Sequence, residues 1–401
     1  MSLKALSVAV LAGCISVGTP SFANQINPES TQTAVNTNNT DNLRIDNENF
    51  ATGFAADIEQ YEETNVRIND TLDSTNAEHK LFKGISGTLN GGAIYNTQNK
   101  PEVNINSNFE NNAANGGYGG AIFNYLDGSV IHLGDINGNF TNNTAAFGGA
   151  IYDSNSIIGN ITGNFVGNNA TASGGAIYQE YGTIGNITGD FRDNKAKSGG
   201  YSLGGAIYNI GIIGDIDGNF VNNSVSTDYT SLGGAIYNQG SIGNITGDFT
   251  DNSVQGANTT LNGGAISNTG GTIGNISGNF TNNSVTIPVD GGVGGKYSTI
   301  YGGAIYNTGT IGGSADSVAG IINSRFIGNS LNITGWSTNS KAYGAAIYTN
   351  KDLNIIADNG LTEFTGNYVK APNGYWGNGK PLHSNKYEAI YILHAIICVS
   401  C

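Results

Sequence analysis

The sequence predicts an all-β protein: a single-stranded, right-handed parallel β-helix, or solenoid, with about nine coils of ~29 residues each. Three observations support this fold class. Two short motifs alternate along most of the chain, the residues around them alternate between apolar and polar with a period of two, and glycine supplies 61 of the 401 residues. Period-two alternation is typical of half-buried strands, whereas glycine inside each repeat disfavours helical repeats.

The first motif is Gly-Gly-Ala-Ile, which occurs nine times if the varied last copy at residues 344–347 is included. Six of the eight spacings between successive copies are 26 to 30 residues. Isoleucine is present in every copy, as expected for a side chain that points into a core. These isoleucines are Ile94, Ile122, Ile151, Ile177, Ile207, Ile236, Ile266, Ile305 and Ile347.

The second motif is Phe-x-x-Asn, and one copy follows each copy of the first. Equivalent residues of stacked coils lie above one another, so its phenylalanines are expected to form one interior stack. Together the two series are candidate structural or adhesive residues. The phenylalanines are Phe109, Phe140, Phe165, Phe191, Phe220, Phe249, Phe280, Phe326 and Phe364.

Residues 161–165 show the alternation, with Ile161, Gly163 and Phe165 on one face and Thr162 and Asn164 on the other. One coil offers roughly four large apolar side chains, each contributing about 1.5–3 kcal/mol when buried. Ordering a coil costs about 1–2 kcal/mol per residue. A single coil is therefore not expected to fold alone, and the coils must stack.

The residue after each motif isoleucine is aromatic in eight of nine copies. If isoleucine faces inward, alternation places this residue outward, and Ser267 in the remaining copy agrees with exposure. We therefore expect an exposed aromatic stripe that could be a stacking platform for sugars or a partner surface; the alternative is cross-strand packing under loops. Its members are Tyr95, Phe123, Tyr152, Tyr178, Tyr208, Tyr237, Tyr306 and Tyr348.

Two further columns are rich in asparagine, one just after the aromatic position and one closing each Phe-x-x-Asn motif, and both are expected to form amide ladders. Chain-length variation falls mainly between a phenylalanine and the next Gly-Gly-Ala motif. Segments such as 284–301 are thus expected to project as loops from one edge, and such an edge is often the binding face of a repeat protein.

The chain divides into four regions. Residues 1–23 are expected to be a signal peptide, with Lys4, an apolar run and a Ser-Phe-Ala cleavage site; Cys14 in a Leu-Ala-Gly-Cys sequence is an alternative, lipidated N-terminus. Residues 24–85 are expected to be an acidic leader and N-terminal cap, 86–370 the repeat domain, and 371–401 an irregular, truncated end.

Composition argues against several functions. The net charge is −14 with four arginines, so we expect no nucleic-acid partner. Asp135, Asp215 and Asp217 lie in columns otherwise held by Asn, Thr or Ser and form no catalytic carboxylate pair. The four histidines are scattered. We expect no enzyme activity, no cofactor and no metal.

The alternating Gly-Gly-Ala-Ile and Phe-x-x-Asn motifs over residues 85–370 resemble the polymorphic outer-membrane protein repeat of chlamydial autotransporter adhesins. The resemblance implies a right-handed β-helix passenger that is carried to the cell surface by a C-terminal β-barrel and adheres through its repeat motifs. Membrane attachment is expected only through such a barrel, which is missing from residues 371–401, or through a lipidated Cys14.

The expected function is therefore that of an exported adhesin at the cell surface, in the outer membrane or outside the cell. Its partner is expected to be a cell-surface protein or glycan, bound through the repeat face and edge loops. One alternative is a passive stalk or surface-layer rod. Another is a β-helix enzyme that degrades polysaccharides.

Overall fold

The computed structural model describes residues 42–45, 65–68, 80–84, 86–87, 90–96, 104–256, 260–288, 299–312, 319–334, 341–357, 362–370, 375–376, 380–381 and 390–392. The expected signal peptide, with Cys14, lies outside these residues. Most of the expected leader (24–85) and most of the expected C-terminal region (371–401) also lie outside them.

The described residues form parallel strands stacked into a solenoid, which confirms the predicted all-β fold class. Each coil passes through up to six sheets, numbered here in the order in which the chain enters them from a Gly-Gly-Ala-Ile motif. The solenoid has about seven turns of ~29 residues, slightly fewer than predicted. Seven coils contribute a described strand to sheet 2, because the first and last Gly-Gly-Ala-Ile coils do not.

Sheet 1 contains the strand that follows each Gly-Gly-Ala, and its register aligns the isoleucines, for example Ile151 with Ile177. Its strands are Asn42–Ile45, Asn65–Ile68, Ile94–Asn96, Ile122–Asn124, Ile151–Ser154, Ile177–Glu180, Ile207–Asn209, Ile236–Asn238, Ile266–Asn268, Ile305–Asn307, Ile347–Thr349 and Ile390–Ile392. Sheet 2 follows around a corner. Its strands are Ile131–Leu133, Ser156–Ile158, Thr183–Ile184, Ile212–Ile213, Ser241–Ile242, Thr272–Ile273 and Thr310–Ile311.

Sheets 3 and 4 carry the Ile-x-x-x-Phe segments and share the strand Ile105–Glu110. The other strands of sheet 3 are Ile136–Asn137, Ile161–Thr162, Ile187–Thr188, Ile216–Asp217, Ile245–Thr246, Ile276–Ser277, Ile321–Ile322 and Ile355–Ile356. Those of sheet 4 are Lys80–Lys83, Phe140–Thr141, Phe165–Val166, Phe191–Arg192, Phe220–Val221, Phe249–Thr250, Phe280–Thr281, Arg325–Ile327 and Glu363–Thr365.

Sheets 5 and 6 complete the coil before the next Gly-Gly-Ala. Sheet 5 consists of Ser86–Gly87, Ala113–Ala114, Thr144–Phe147, Asn169–Ser173, Lys195–Ser198, Ser224–Thr227, Ser253–Gly256, Ser284–Ile287, Ser330–Ile333 and Tyr368–Lys370. Sheet 6 consists of Tyr201–Leu203, Thr230–Leu232, Thr260–Asn262, Thr299–Tyr301 and Lys341–Tyr343. A separate antiparallel pair joins Tyr375–Trp376 to Lys380–Pro381.

The phenylalanine stack lies in the interior, as predicted. Neighbouring rings have centroids 4.7 to 4.9 Å apart and planes within 7° of parallel. Phe82, which belongs to no Phe-x-x-Asn motif, extends the stack below Phe109. The motif isoleucines are fully buried in the same cluster, and Phe364 at the far end of the stack is only partly buried.

The two glycines of the Gly-Gly-Ala motif are required for different steric reasons, which Gly233 and Gly234 illustrate. Gly233 has a φ of +69°, in the region that favours glycine. A Cβ on Gly234 would lie 2.0 Å from the carbonyl oxygen of Gly264 in the next coil. The first glycine therefore makes the turn, and the second allows two backbones to touch.

The closing asparagines of the Phe-x-x-Asn motifs form the predicted ladder, fully buried along most of its length. Asn223 represents it. Its Nδ2 donates to the carbonyl of Phe191 at 2.8 Å and to Oδ1 of Asn252 at 3.0 Å, and its Oδ1 accepts the backbone N–H of Asn194 at 3.0 Å. Each amide thus satisfies backbone groups at a corner of the coil where no sheet ladder does so.

The variable edge differs from the loops expected there. Segment 284–301 contains the strands Ser284–Ile287 and Thr299–Tyr301, while residues 289–298 lie outside the described part. Sheets 5 and 6 enclose a second hydrophobic cluster, separate from the main core, around Val254, Leu261 and Ile300. The insertions therefore build a lateral sheet with its own small core as well as connecting segments.

Candidate functional site

The aromatic stripe lies on the face of sheet 1 that points away from the main core, but the expectation that it is exposed is wrong. Phe123, Tyr178, Tyr237 and Tyr348 are buried, and Tyr95, Tyr152, Tyr208 and Tyr306 are half-buried. Wherever two aromatic members are adjacent, their ring centroids lie 4.3 to 5.4 Å apart. The rings therefore cover one another's faces.

A second layer of aromatic side chains adds to this burial. Tyr118 packs against Phe123 and Tyr152, with centroids 6.4 and 4.8 Å away, and Phe147 meets Tyr178 edge-on at 5.2 Å. These residues come from the variable segments that precede Gly-Gly-Ala, so strand alternation alone could not place them. At the other end of the solenoid, the Tyr301 ring packs on Tyr306 and Tyr348.

Ser267 was expected to indicate exposure, but it is fully buried between its register partners Tyr237 and Tyr306. Its hydroxyl lies 3.3 Å from that of Thr269. A small residue in this column therefore marks an interruption of the aromatic stack, and it does not mark contact with solvent.

The predicted amide ladder beside the stripe is directional. Nδ2 of Asn96 donates to Oδ1 of Asn124 at 2.7 Å, and farther along Asn209, Asn238 and Asn268 each donate to the next amide at 2.8 Å. Every donor points toward the C-terminal end of the solenoid. A continuous chain of this kind requires each member to accept on one side and donate on the other.

Asp153 and Gln179 interrupt this ladder. Oδ1 of Asp153 accepts from Asn124 at 2.7 Å and from the Ser156 hydroxyl, whereas its Oδ2 and both amide atoms of Gln179 have no partner among the described residues. Asp153 is fully buried, and burial raises the pKa of its carboxyl to about 7 despite the hydrogen bonds that favour the charged form.

Few large apolar or aromatic side chains of the described part are exposed, and most flank the stripe. Tyr118, Tyr201 and Tyr229 precede sheet 1 in their coils, with 38 %, 71 % and 52 % of their surface exposed, and Tyr181 follows it with 72 % exposed. Ile212 is 52 % exposed at the start of the neighbouring strand of sheet 2. These positions lie outside the repeated motifs, so motif counting did not find them.

Tyr181 has an unusual backbone. Nine non-glycine residues of the described part have a positive φ, and eight of them are asparagine or aspartate. The ninth is Tyr181, with a φ of 56°. Asparagine and aspartate tolerate this conformation, whereas a bulky side chain there is a genuine outlier.

The hydroxyl groups around Glu180 form a polar cluster next to Tyr181. The Tyr152 hydroxyl donates to Oε2 of Glu180 at 3.2 Å. Burial raises the pKa of Tyr152, Tyr178 and Tyr208, and the negative charge of Glu180 raises each of them further. The Tyr181 hydroxyl group also contributes to the raised pKa of Tyr208.

Asp135 and Asp215, two of the three acids without a predicted catalytic partner, have a structural role, whereas Asp217 is exposed. Oδ1 of Asp135 accepts the backbone N–H of Asn160 at 2.7 Å, and Oδ1 of Asp215 accepts that of Asn244 at 2.6 Å. Among the described residues, no group of three or more His, Cys, Asp or Glu side chains is placed to hold a metal ion. In the same part of the chain, no helix is long and apolar enough to cross a membrane.

The candidate site is thus the outer side of sheet 1 and its two borders, where exposed tyrosines flank a packed aromatic column. The predicted motif residues lie elsewhere: the phenylalanines and isoleucines are interior, so their side chains are not available to a partner. Comparison with models of protein families, with curated proteins and with solved structures found no match to this chain.

Proposed function

We propose that this chain is an exported, adhesin-like passenger that binds a protein or glycan of another surface through the side formed by sheet 1 and its borders. The observation that carries the proposal is the concentration of exposed tyrosines at those borders, at positions that the repeat does not dictate. Exposed aromatic side chains are enriched where proteins contact partners, because they bury a large area at a small entropic cost.

The division of labour between residues supports the same proposal. The repeated phenylalanine, isoleucine and asparagine side chains pack in the core or bond to one another in ladders, so they hold the coils in register. The exposed side chains vary from coil to coil, which gives a rigid scaffold a distinctive surface. The net charge of −14 and the low share of charged residues, 11 %, favour contacts through hydrogen bonds and aromatic groups over contacts with polyanions.

The test is retention of the labelled full chain on intact cells and on immobilised cell-surface extracts. A triple variant replaces Tyr181 by asparagine and Tyr201 and Tyr229 by serine, and it should lose retention while the thermal unfolding temperature is kept. The matched control replaces an exposed tyrosine away from these borders, Tyr368 of sheet 5, by serine. Equal retention of all forms contradicts this binding side, and no retention of the wild type favours the passive rod.

A further inference from the structure

We propose that the corner formed by Glu180 and Tyr181 is a binding site for a neutral sugar, with one pyranose ring lying on the Tyr181 ring. This inference rests on the adhesive function proposed above and names the chemistry of its ligand. We define the Tyr181 corner as Tyr152, Tyr178, Glu180, Tyr181 and Tyr208.

The first argument is the backbone of Tyr181, which is unfavourable for a side chain of this size. In the preceding coil the equivalent residue is Asn155, also with a positive φ, and its backbone N–H donates to the carbonyl of Glu180 at 2.9 Å. The fold therefore provides for asparagine at this turn, and tyrosine costs conformational energy that asparagine does not. Strained residues of this kind concentrate at binding and catalytic sites.

The second argument is exposure. The Tyr181 side chain is 72 % exposed, the highest value among the large apolar and aromatic residues of the described part. Because so little of the side chain is buried, its burial stabilises the folded chain too little to offset the strain of the backbone. A tyrosine that neither eases the turn nor packs in the core is explained by a contact outside the chain.

The third argument is the set of polar groups beside the ring. Glu180 offers a carboxylate, which accepts a hydrogen bond from the Tyr152 hydroxyl. Its negative charge also raises the pKa of the Tyr178 and Tyr208 hydroxyls. A pyranose has a face of C–H groups that packs on an aromatic ring and a rim of hydroxyls that donate and accept. An aromatic platform with a carboxylate and phenolic hydroxyls matches both features.

The charge of the corner selects among sugars. Residues 101–191 contain no lysine and no arginine, and the acids of this region that act on its tyrosines are Asp127 and Glu180. A sialylated or sulfated glycan would meet repulsion here with no basic group to pair with. A neutral, hydroxyl-rich glycan therefore fits the corner better than an anionic one.

The experiment screens the purified full chain on an array of neutral, sialylated and sulfated oligosaccharides. The retained neutral oligosaccharide is then titrated by calorimetry into the wild type and the variants. Tyr181→Asn should weaken binding about tenfold, the loss expected when one stacked ring is removed, while thermal stability is unchanged or higher. Glu180→Gln should weaken binding several-fold, and Tyr368→Ser, which removes an exposed tyrosine of sheet 5 away from the proposed binding side, should have no effect.

Three results would overturn the proposal: no retention of any neutral glycan, retention of anionic glycans alone, or equal affinity of wild type and Tyr181→Asn. Retention on cells distinguishes failure of the sugar site from failure of the proposed adhesive function. If cells retain wild type and Tyr181→Asn equally and the two forms also bind the sugar with equal affinity, adhesion uses another surface and the sugar site is rejected. If the sugar binds through Tyr181 but no cell retains the protein, the site stands and adhesion is rejected.

Discussion

Asp153 is the residue whose chemistry departs most from its column. Its neighbours in the ladder are amides, which both accept and donate, whereas an ionised carboxylate only accepts. Burial raises the pKa of its carboxyl, its hydrogen bonds lower that pKa only in part, and no charged group is among the causes. A protonated carboxyl can donate as well as accept, as the amides of the ladder do, so burial favours the form of Asp153 that resembles its neighbours.

Asp153→Asn should make stability less dependent on pH. The folded pKa is about 7 and the ordinary value is 3.8, so the wild-type carboxyl does not oppose folding below pH ~4. As pH rises from ~4 to ~7, the unfolded chain loses this proton first and folding is increasingly disfavoured, by about 4 kcal/mol in total. Denaturant unfolding should show the variant gaining stability over wild type across this window and no further gain above it.

The matched control for this titration is Asp217→Asn, which changes an exposed carboxylate on sheet 3. It shows the effect of the same substitution at a surface position. A pH-independent difference between wild type and Asp153→Asn would mean that Asp153 stays charged in the folded protein.

Adjacent asparagines in one Phe-x-x-Asn motif should differ strongly on substitution. Asn223→Ala leaves the carbonyl of Phe191 and the backbone N–H of Asn194 without their buried partner, and should cost about 2–4 kcal/mol. Asn222 is exposed with a φ of 56°, so Asn222→Gly should change stability by less than about 1 kcal/mol. Denaturation midpoints measure both, and similar losses would contradict the ladder's role.

At the scale of the strand, sequence alternation predicted the interior side chains and their register but not the packing on the outer face. Ile161 and Phe165 lie inside as expected, because a period of two leaves one choice once the core side is known. The burial of Tyr178 depends on Phe147, which comes from the preceding coil and from a segment without a motif. Such contacts between variable segments leave no periodic signal.

Sheet 6 and the Tyr181 corner were missed for related reasons. The strands of sheet 6 have three residues each, too few for alternation to be recognised, and they share no motif. Tyr181 becomes conspicuous only when its φ is known, since in the sequence it is one tyrosine among 20. The repetitive part of the fold was therefore predictable, and the candidate site, which depends on departures from repetition, was not.

The second glycine of each Gly-Gly-Ala motif should be the least replaceable position of its strand. Gly234→Ala would place a methyl group 2.0 Å from the carbonyl oxygen of Gly264, so two coils would have to separate, at a cost of about 3 kcal/mol. Gly199→Ala is the control, because a methyl there meets nothing within 4 Å, and it should change stability by less than about 0.5 kcal/mol. Equal thermal unfolding temperatures for the two variants would contradict this contact.

At the scale of the whole molecule, the solenoid has two hydrophobic cores of unequal size. The main core runs from Phe82 to Ile355, while the second cluster occupies only the later coils, between sheets 5 and 6. In a stack of coils each unit is stabilised mainly by its neighbours. A lateral sheet with a small core of its own should therefore open more easily than the coils that carry it.

Leu261→Ala tests this hierarchy. Leu261 is fully buried in the second cluster, and its truncation should cost about 2–5 kcal/mol locally. Hydrogen exchange measured by mass spectrometry should show faster exchange in sheet 6 and the adjoining strands of sheet 5, with sheets 1, 3 and 4 unchanged. Ile236→Ala, in the main core, should instead speed exchange in all sheets of the neighbouring coils. Uniform loss of protection in Leu261→Ala would mean that the two cores unfold as one unit.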